Sequence, residues 1–129
     1  MKEMDDARVD KLLDELFDGE DIVKRILNSY KVGFFIPRKA ISLIGFSLNL
    51  PILYSNRDIM LRNLLRASYY DGKLKDALQY IKNYAITFKS VYEELLNDYP
   101  ELKPLLEEHL AKISMFVNDI EKVLMKIEK

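Results

Sequence analysis

"KLKDALQYIKNYAITFKSVYEELLNDYPELKP", residues 73 to 104, decides the fold. Leu74, Ile81, Phe88 and Leu95 recur every seven residues, and Leu78, Ala85, Tyr92 and Tyr99 interleave with them. A seam with that period marks a long helix packed along one stripe against another. Pro100 and Pro104 then interrupt it, because proline has no N–H to give to a helix interior, and the chain can reverse there. Beyond them the pattern resumes, with Leu106, Ile113, Ile120 and Ile127 at one seam position and Leu102, His109, Phe116 and Val123 at the other. Leu110, Val117 and Leu124 widen this second stripe, so its helix must meet more than one neighbour. At 1.5 Å per residue, two helices of roughly 26 residues would each reach ~39 Å. The expected fold class is all-α: a helical bundle built on a long C-terminal antiparallel α-hairpin, about 73-99 and 101-128, with about four shorter N-terminal helices.

Upstream, Val9, Leu12, Leu13, Leu16 and Phe17 form one amphipathic face that stops at Gly19. A second short helix carries Ile22, Val23, Ile26, Leu27 and Tyr30 as its apolar stripe and ends at Gly33. "GFFIPRKAISLIGFSLNLPILY", residues 33 to 54, is the most apolar part of the chain and holds no charge from Ala40 to Tyr54. It is shorter than the ~20 apolar residues that cross a bilayer, and Asn49 and Pro51 interrupt it. It reads as a buried central helix beginning near Pro37; a partner-docking helix and a short strand pair are the alternatives. Ser55 and Asp58 resemble a capping box opening a helix to about Tyr70, with Met60, Leu61, Leu64, Leu65 and Ser68 inward and Asp58 paired to Arg62. The 129 residues form a single domain with parts at 1-32, 33-54, 55-71 and 73-129.

"YYDGKLKDALQYIKNYA", residues 69 to 85, resembles the middle of a tetratricopeptide repeat, in which a Gly is followed five residues on by an Ala, here Gly72 and Ala77. Ile81 stands at that repeat's aromatic position and Tyr84 where a small residue belongs. With no second copy, a solenoid does not follow, since such repeats bury their faces only by stacking.

Several chemistries are excluded or poorly supplied. Cysteine is absent, which removes disulfides, thiol catalysis and cysteine metal sites together. The single histidine, His109, lies in "LLEEHLAKI" with Leu106 where a bundle metal site needs Glu three residues earlier, so it reads as a polar residue at a helix interface, with a pH-sensitive contact as an option. Gly19, Gly33, Gly45 and Gly72 are isolated and build no phosphate loop. The carboxylates lie opposite apolar stripes, solvated and unsuited to acid–base work. The chain reads as non-catalytic, without cofactor or metal. Its acidic N-terminus lacks the basic and apolar regions of a secretory signal, which points to the cytoplasm.

Charge carries the remaining signal. Net charge is -1, yet residues 1 to 23 hold three Lys or Arg against nine Asp or Glu, residues 24 to 89 hold twelve against three, and residues 90 to 129 hold five against nine. Lys75, Lys82 and Lys89 are seven apart and lie in a line beside the seam. Arg62, Arg66 and Lys73 come from the preceding helix and turn, Arg57 from its start, and Tyr70 stands among them. A basic face with aromatic company suits contact with a phosphate backbone. The first expectation is a small nucleic-acid-binding protein, or subunit of a nucleoprotein complex, that uses Arg57, Arg62, Arg66, Lys73, Lys75, Lys82, Lys89 and Tyr70. The alternative is an adaptor or assembly chaperone that binds proteins through segment 34-54 and the hairpin, its lysines meeting an acidic protein surface. Other subunits are expected partners in both, a membrane in neither, and the wide seam admits a homo-oligomer. Acidic ends folded back onto the basic middle would account for the asymmetry without any partner.

Overall fold

Two of the helix starts are fixed by a side-chain cap, Asp21 for α2 (Ile22–Leu27) and Asn28 for α3 (Ser29–Val32). A computed structural model describes residues 2 to 128, and among them there is no strand. The helices are α1 (Lys2–Leu16), α2 (Ile22–Leu27), α3 (Ser29–Val32), α4 (Arg38–Ser47), α5 (Arg57–Tyr70), α6 (Leu74–Asp98) and α7 (Lys103–Glu128), with a 3₁₀ turn at Pro100–Leu102 between the last two. The long C-terminal hairpin is therefore present, and five shorter helices precede it rather than four.

The extra helix comes from Asn28. Its side chain accepts from the Lys31 N–H at 3.2 Å, capping α3 and ending α2 one residue earlier. Tyr30 consequently leaves the apolar stripe expected of it and lies exposed, its ring beneath the Lys112 ammonium at 4.1 Å. Two further expectations change. Segment 33-54 is helical only over α4, with Pro37 as its cap, and that helix buries Ala40, Ile41, Ile44 and Gly45 while turning its other side to solvent. The cap of α5 is Asn56, with no side-chain hydrogen bond, rather than Ser55.

The core is one contiguous cluster. Met60, Leu61, Leu64, Leu65 and Ser68 of α5 are all buried, as their spacing predicts. They meet Val9, Leu13 and Phe17 from the first helix and its turn, and Ile22, Val23 and Ile26 of α2. Phe34 joins this N-terminal half to the hairpin: its ring lies 6.1 Å from Tyr84, 5.9 Å from Phe88 and 5.3 Å from Phe116. These are the tilted separations at which aromatic rings attract. Beyond that level the hairpin loses its cover. Ala85 is the last fully buried residue of α6 and Ile113 the first of α7, so the distal part projects as a two-helix arm.

Gly33 allows this junction. It has φ +83, and a Cβ there would sit 2.6 Å from the His109 carbonyl oxygen on α7. Gly72, in the turn before α6, has φ +70 with nothing near its missing Cβ. Gly72→Ala should cost about 1 kcal/mol, the penalty of the left-handed conformation alone. Gly33→Ala should cost about 2 kcal/mol more, because helix α7 must also retreat. Equal losses in urea unfolding would show that the α3–α7 contact is not tight.

Candidate functional site

The basic stretch of α5 faces the acidic first helix. Arg66 makes a two-pronged contact with Asp10, Nε to Oδ1 at 2.9 Å and Nη2 to Oδ2 at 2.6 Å, and its Nη1 lies 3.9 Å from Asp6. Arg62 donates from Nη2 to both oxygens of Asp21 at 3.2 Å, with Nη1 3.5 Å from Asp10. The local Asp58–Arg62 pair expected from spacing is replaced by these long-range ones. Tyr70 donates its hydroxyl to Asp6 at 3.1 Å. Helix spacing explains the match: Arg62 and Arg66 are one turn apart on α5, and Asp6 and Asp10 one turn apart on α1.

These pairs tune their members. Hydrogen bonding to Asp10 raises the Arg66 pKa against the effect of burial. Burial disfavours the Asp21 carboxylate, but the Lys24 N–H and the Arg62 guanidinium outweigh it and hold Asp21 below the usual range. Asp14, which accepts from the Ile22 N–H at 3.3 Å, is pushed up chiefly by burial.

The remaining predicted cations do not converge with these two. Lys73 donates to the Leu48 carbonyl at 2.8 Å and pairs with Asp71 at 2.9 Å. Lys82 reaches Glu121 of α7 at 3.9 Å with most of its side chain covered. Lys89 is half-buried, and Lys75 stands exposed at the rim of an apolar cleft with Leu12, Tyr69 and Ile127. Arg57 points the other way, donating from Nε to the Ile36 carbonyl at 2.9 Å.

Arg57 leads to a surface on segment 34-54, which charge counting along the chain does not separate from the rest of the basic middle. Its guanidinium lies 4.0 Å over the Phe35 ring, and that of Arg38 lies 4.7 Å over the Tyr54 ring, so segments 35-38 and 54-57 run side by side. Neither arginine, nor Lys39 beside them, has an ion-pair partner among the described residues. Nη2 of Arg57 is buried with no hydrogen-bond partner, and burial lowers the Arg57 pKa. The charge is thus partly desolvated and met by the Ile36 carbonyl and the Phe35 ring, but by no carboxylate.

Next to this cluster the outer face of α4 is apolar. Lys39, Leu43 and Phe46 follow the i, i+4, i+7 spacing of one helical stripe, and Leu43 and Phe46 are 60% and 69% exposed. A groove between α4 and α6, lined by Leu43, Ser47, Tyr80, Asn83 and Thr87, borders the stripe. The period-3.6 pattern of residues 40 to 48 contained the signal: apolar residues occupy too wide an arc for one buried face.

Elsewhere, His109 is exposed, with Nδ1 3.2 Å from the Gly33 carbonyl, a hydrogen bond that requires a proton on that nitrogen. Among the described residues no three acidic or histidine side chains converge where a metal ion could sit, and no helix is long and apolar enough to cross a membrane. Comparisons with protein-family models, with curated proteins and with solved structures returned no match.

Two outcomes follow for the charged interface. Because the Arg66–Asp10 contact is bidentate and only about a quarter exposed, Arg66→Ala and Asp10→Ala should each cost about 1 to 2 kcal/mol. The double variant should lose less than their sum; strict additivity would mean the pair contributes no coupling. Asp21 has a folded-state pKa below its unfolded one, so its stabilisation is complete above about pH 4 and disappears as pH falls through the lowered folded value. Asp21→Asn should flatten the acid limb of stability against pH, and an unchanged slope would remove Asp21 from that account.

Proposed function

We propose that the protein is a non-catalytic helical adaptor that docks an acidic, apolar-faced segment of a partner protein on the outer face of α4 and the flanking segments 35-38 and 54-57. One contrast carries this reading. The fold meets Arg62, Arg66, Lys73 and Lys82 with its own carboxylates, but leaves Arg38, Lys39 and Arg57 without one. Arg57 and Arg38 lie over the exposed rings of Phe35 and Tyr54, and Lys39 begins the helical stripe that continues through the exposed Leu43 and Phe46. An apolar stripe at helical spacing with cations at one end is the complement of an amphipathic acidic helix laid along it. Anchoring residues of such contacts are typically aromatic or Arg, as here.

A single strand of nucleic acid offers anionic and stacking groups too, and the guanidinium–ring pairs of Arg57 with Phe35 and Arg38 with Tyr54 suit it. The aliphatic Leu43 and the helical spacing of the stripe favour the peptide. In a fluorescence-anisotropy titration, a labelled Glu/Leu amphipathic peptide of about five helical turns should bind, more weakly as salt rises. Leu43→Glu with Phe46→Glu should weaken it at least about tenfold, the loss of an apolar anchor or two. Absence of peptide binding, or tighter binding of a single-stranded oligonucleotide at the same face, would overturn the adaptor reading.

A further inference from the structure

The partner segment that this face calls for is present on the chain itself. Residues 90 to 108, the projecting arm, contain six Asp or Glu and only Lys103 against them. Of these, Glu107 pairs with Lys103 and Glu108 with Lys112, whereas Glu94, Asp98 and Glu101 have no cation at ion-pair distance among the described residues. The arm also carries an apolar face without cover. Val91 stands one heptad above Tyr84, a residue that Phe34 covers lower down, with the half-buried Leu95 next to it one heptad above Phe88, and Leu105 lies one heptad before Lys112, which borders Gly33. Val91 and Leu105 are 46% and 68% exposed. Phe34 ends the cover, and nothing in the described chain takes its place above.

We infer that a second copy of this chain takes that place: the arm of one copy docks on the α4 face of another, Leu43 and Phe46 closing the apolar face of the arm while Arg38, Lys39 and Arg57 meet Glu94, Asp98 and Glu101. The inference rests on the reading of the α4 face given above and names its occupant. Both halves of the contact lie on one side of the molecule. Thr87, which lines the groove beside α4, is one heptad below Glu94, so the groove and the acidic edge of the arm share a helix face. A two-fold axis can then satisfy both contacts at once, each copy giving an arm and receiving one. The charges are of opposite sign across the pair and of like sign within each patch, which selects this pairing over arm against arm.

Sedimentation equilibrium of the full chain tests it. The wild type should dimerise, with an affinity that falls about tenfold or more between ~50 and ~500 mM salt. An arm variant, Glu94→Lys with Asp98→Lys and Glu101→Lys, and a face variant, Arg38→Glu with Lys39→Glu, should each be monomeric, with helical circular dichroism unchanged because all these positions are exposed. Mixed in equal amounts, the two should form a dimer, since each arm then meets a face of opposite charge. A wild type that stays monomeric at low salt, variants that dimerise as it does, or a mixture that remains monomeric would overturn the inference. If the acidic peptide still binds at Leu43 and Phe46 in those cases, the adaptor reading stands and only its occupant was misassigned; if the peptide fails too, both fall.

Discussion

Everything distinctive about the molecule depends on the seat of Phe34 against the hairpin. A left-handed glycine brings the chain against the α7 backbone, and the next residue puts a ring among Tyr84, Phe88 and Phe116. Below that ring, α6 and α7 are part of a packed body; above it they have only each other. A single aromatic side chain thus divides two chemically similar long helices into a buried half and a half-covered arm. Burying such a side chain is worth about 1.5 to 3 kcal/mol, before the ring–ring geometry is counted, so the division is not marginal.

Charge is sorted by the same construction. Val9, Leu13 and Phe17 fix the acidic N-terminal segment onto α5 by apolar burial, worth about 1.5 to 3 kcal/mol each, whereas half-exposed ion pairs contribute far less apiece. The apolar contacts therefore set the position of α1, and the carboxylates of Asp6, Asp10 and Asp21 then select which arginines are neutralised. Helix α1 is held to the core through its buried Val9 and Leu13. Among the charges that the fold leaves without an ion pair are two clusters of opposite sign, Arg38, Lys39 and Arg57 at the starts of α4 and α5 and Glu94, Asp98 and Glu101 on the arm.

The distribution of burial also orders the molecule's stability. Residues of the arm have few buried apolar contacts and exposed helical backbone, the condition for opening locally before the body does. A surface offered to a partner is best drawn from such a region, because covering it adds burial where the isolated chain has least.

The heptads of 73 to 127, the proline reversal and the α5 stripe of Met60, Leu61, Leu64 and Leu65 were legible without a structure, because they are consequences of helical period and backbone chemistry that each helix carries alone. The break at Asn28 was legible in principle, since an Asn that caps the following N–H groups competes with helix continuation. The site was not. Arg62 looked able to find Asp58 one turn away, and instead meets Asp10 and Asp21 across 52 and 41 residues of sequence. The line of Lys75, Lys82 and Lys89 has the spacing of a surface, yet Lys82 is largely packed along the hairpin against Glu121 and Lys89 is half-buried. By itself the sequence determined that the chain is a helical hairpin with shorter helices against it, and that its charges are segregated. Only tertiary structure decided which charges cancel and which apolar stripe stays bare, because cancellation and cover depend on distances between helices far apart in the chain, and periodicity within a helix contains no such distance.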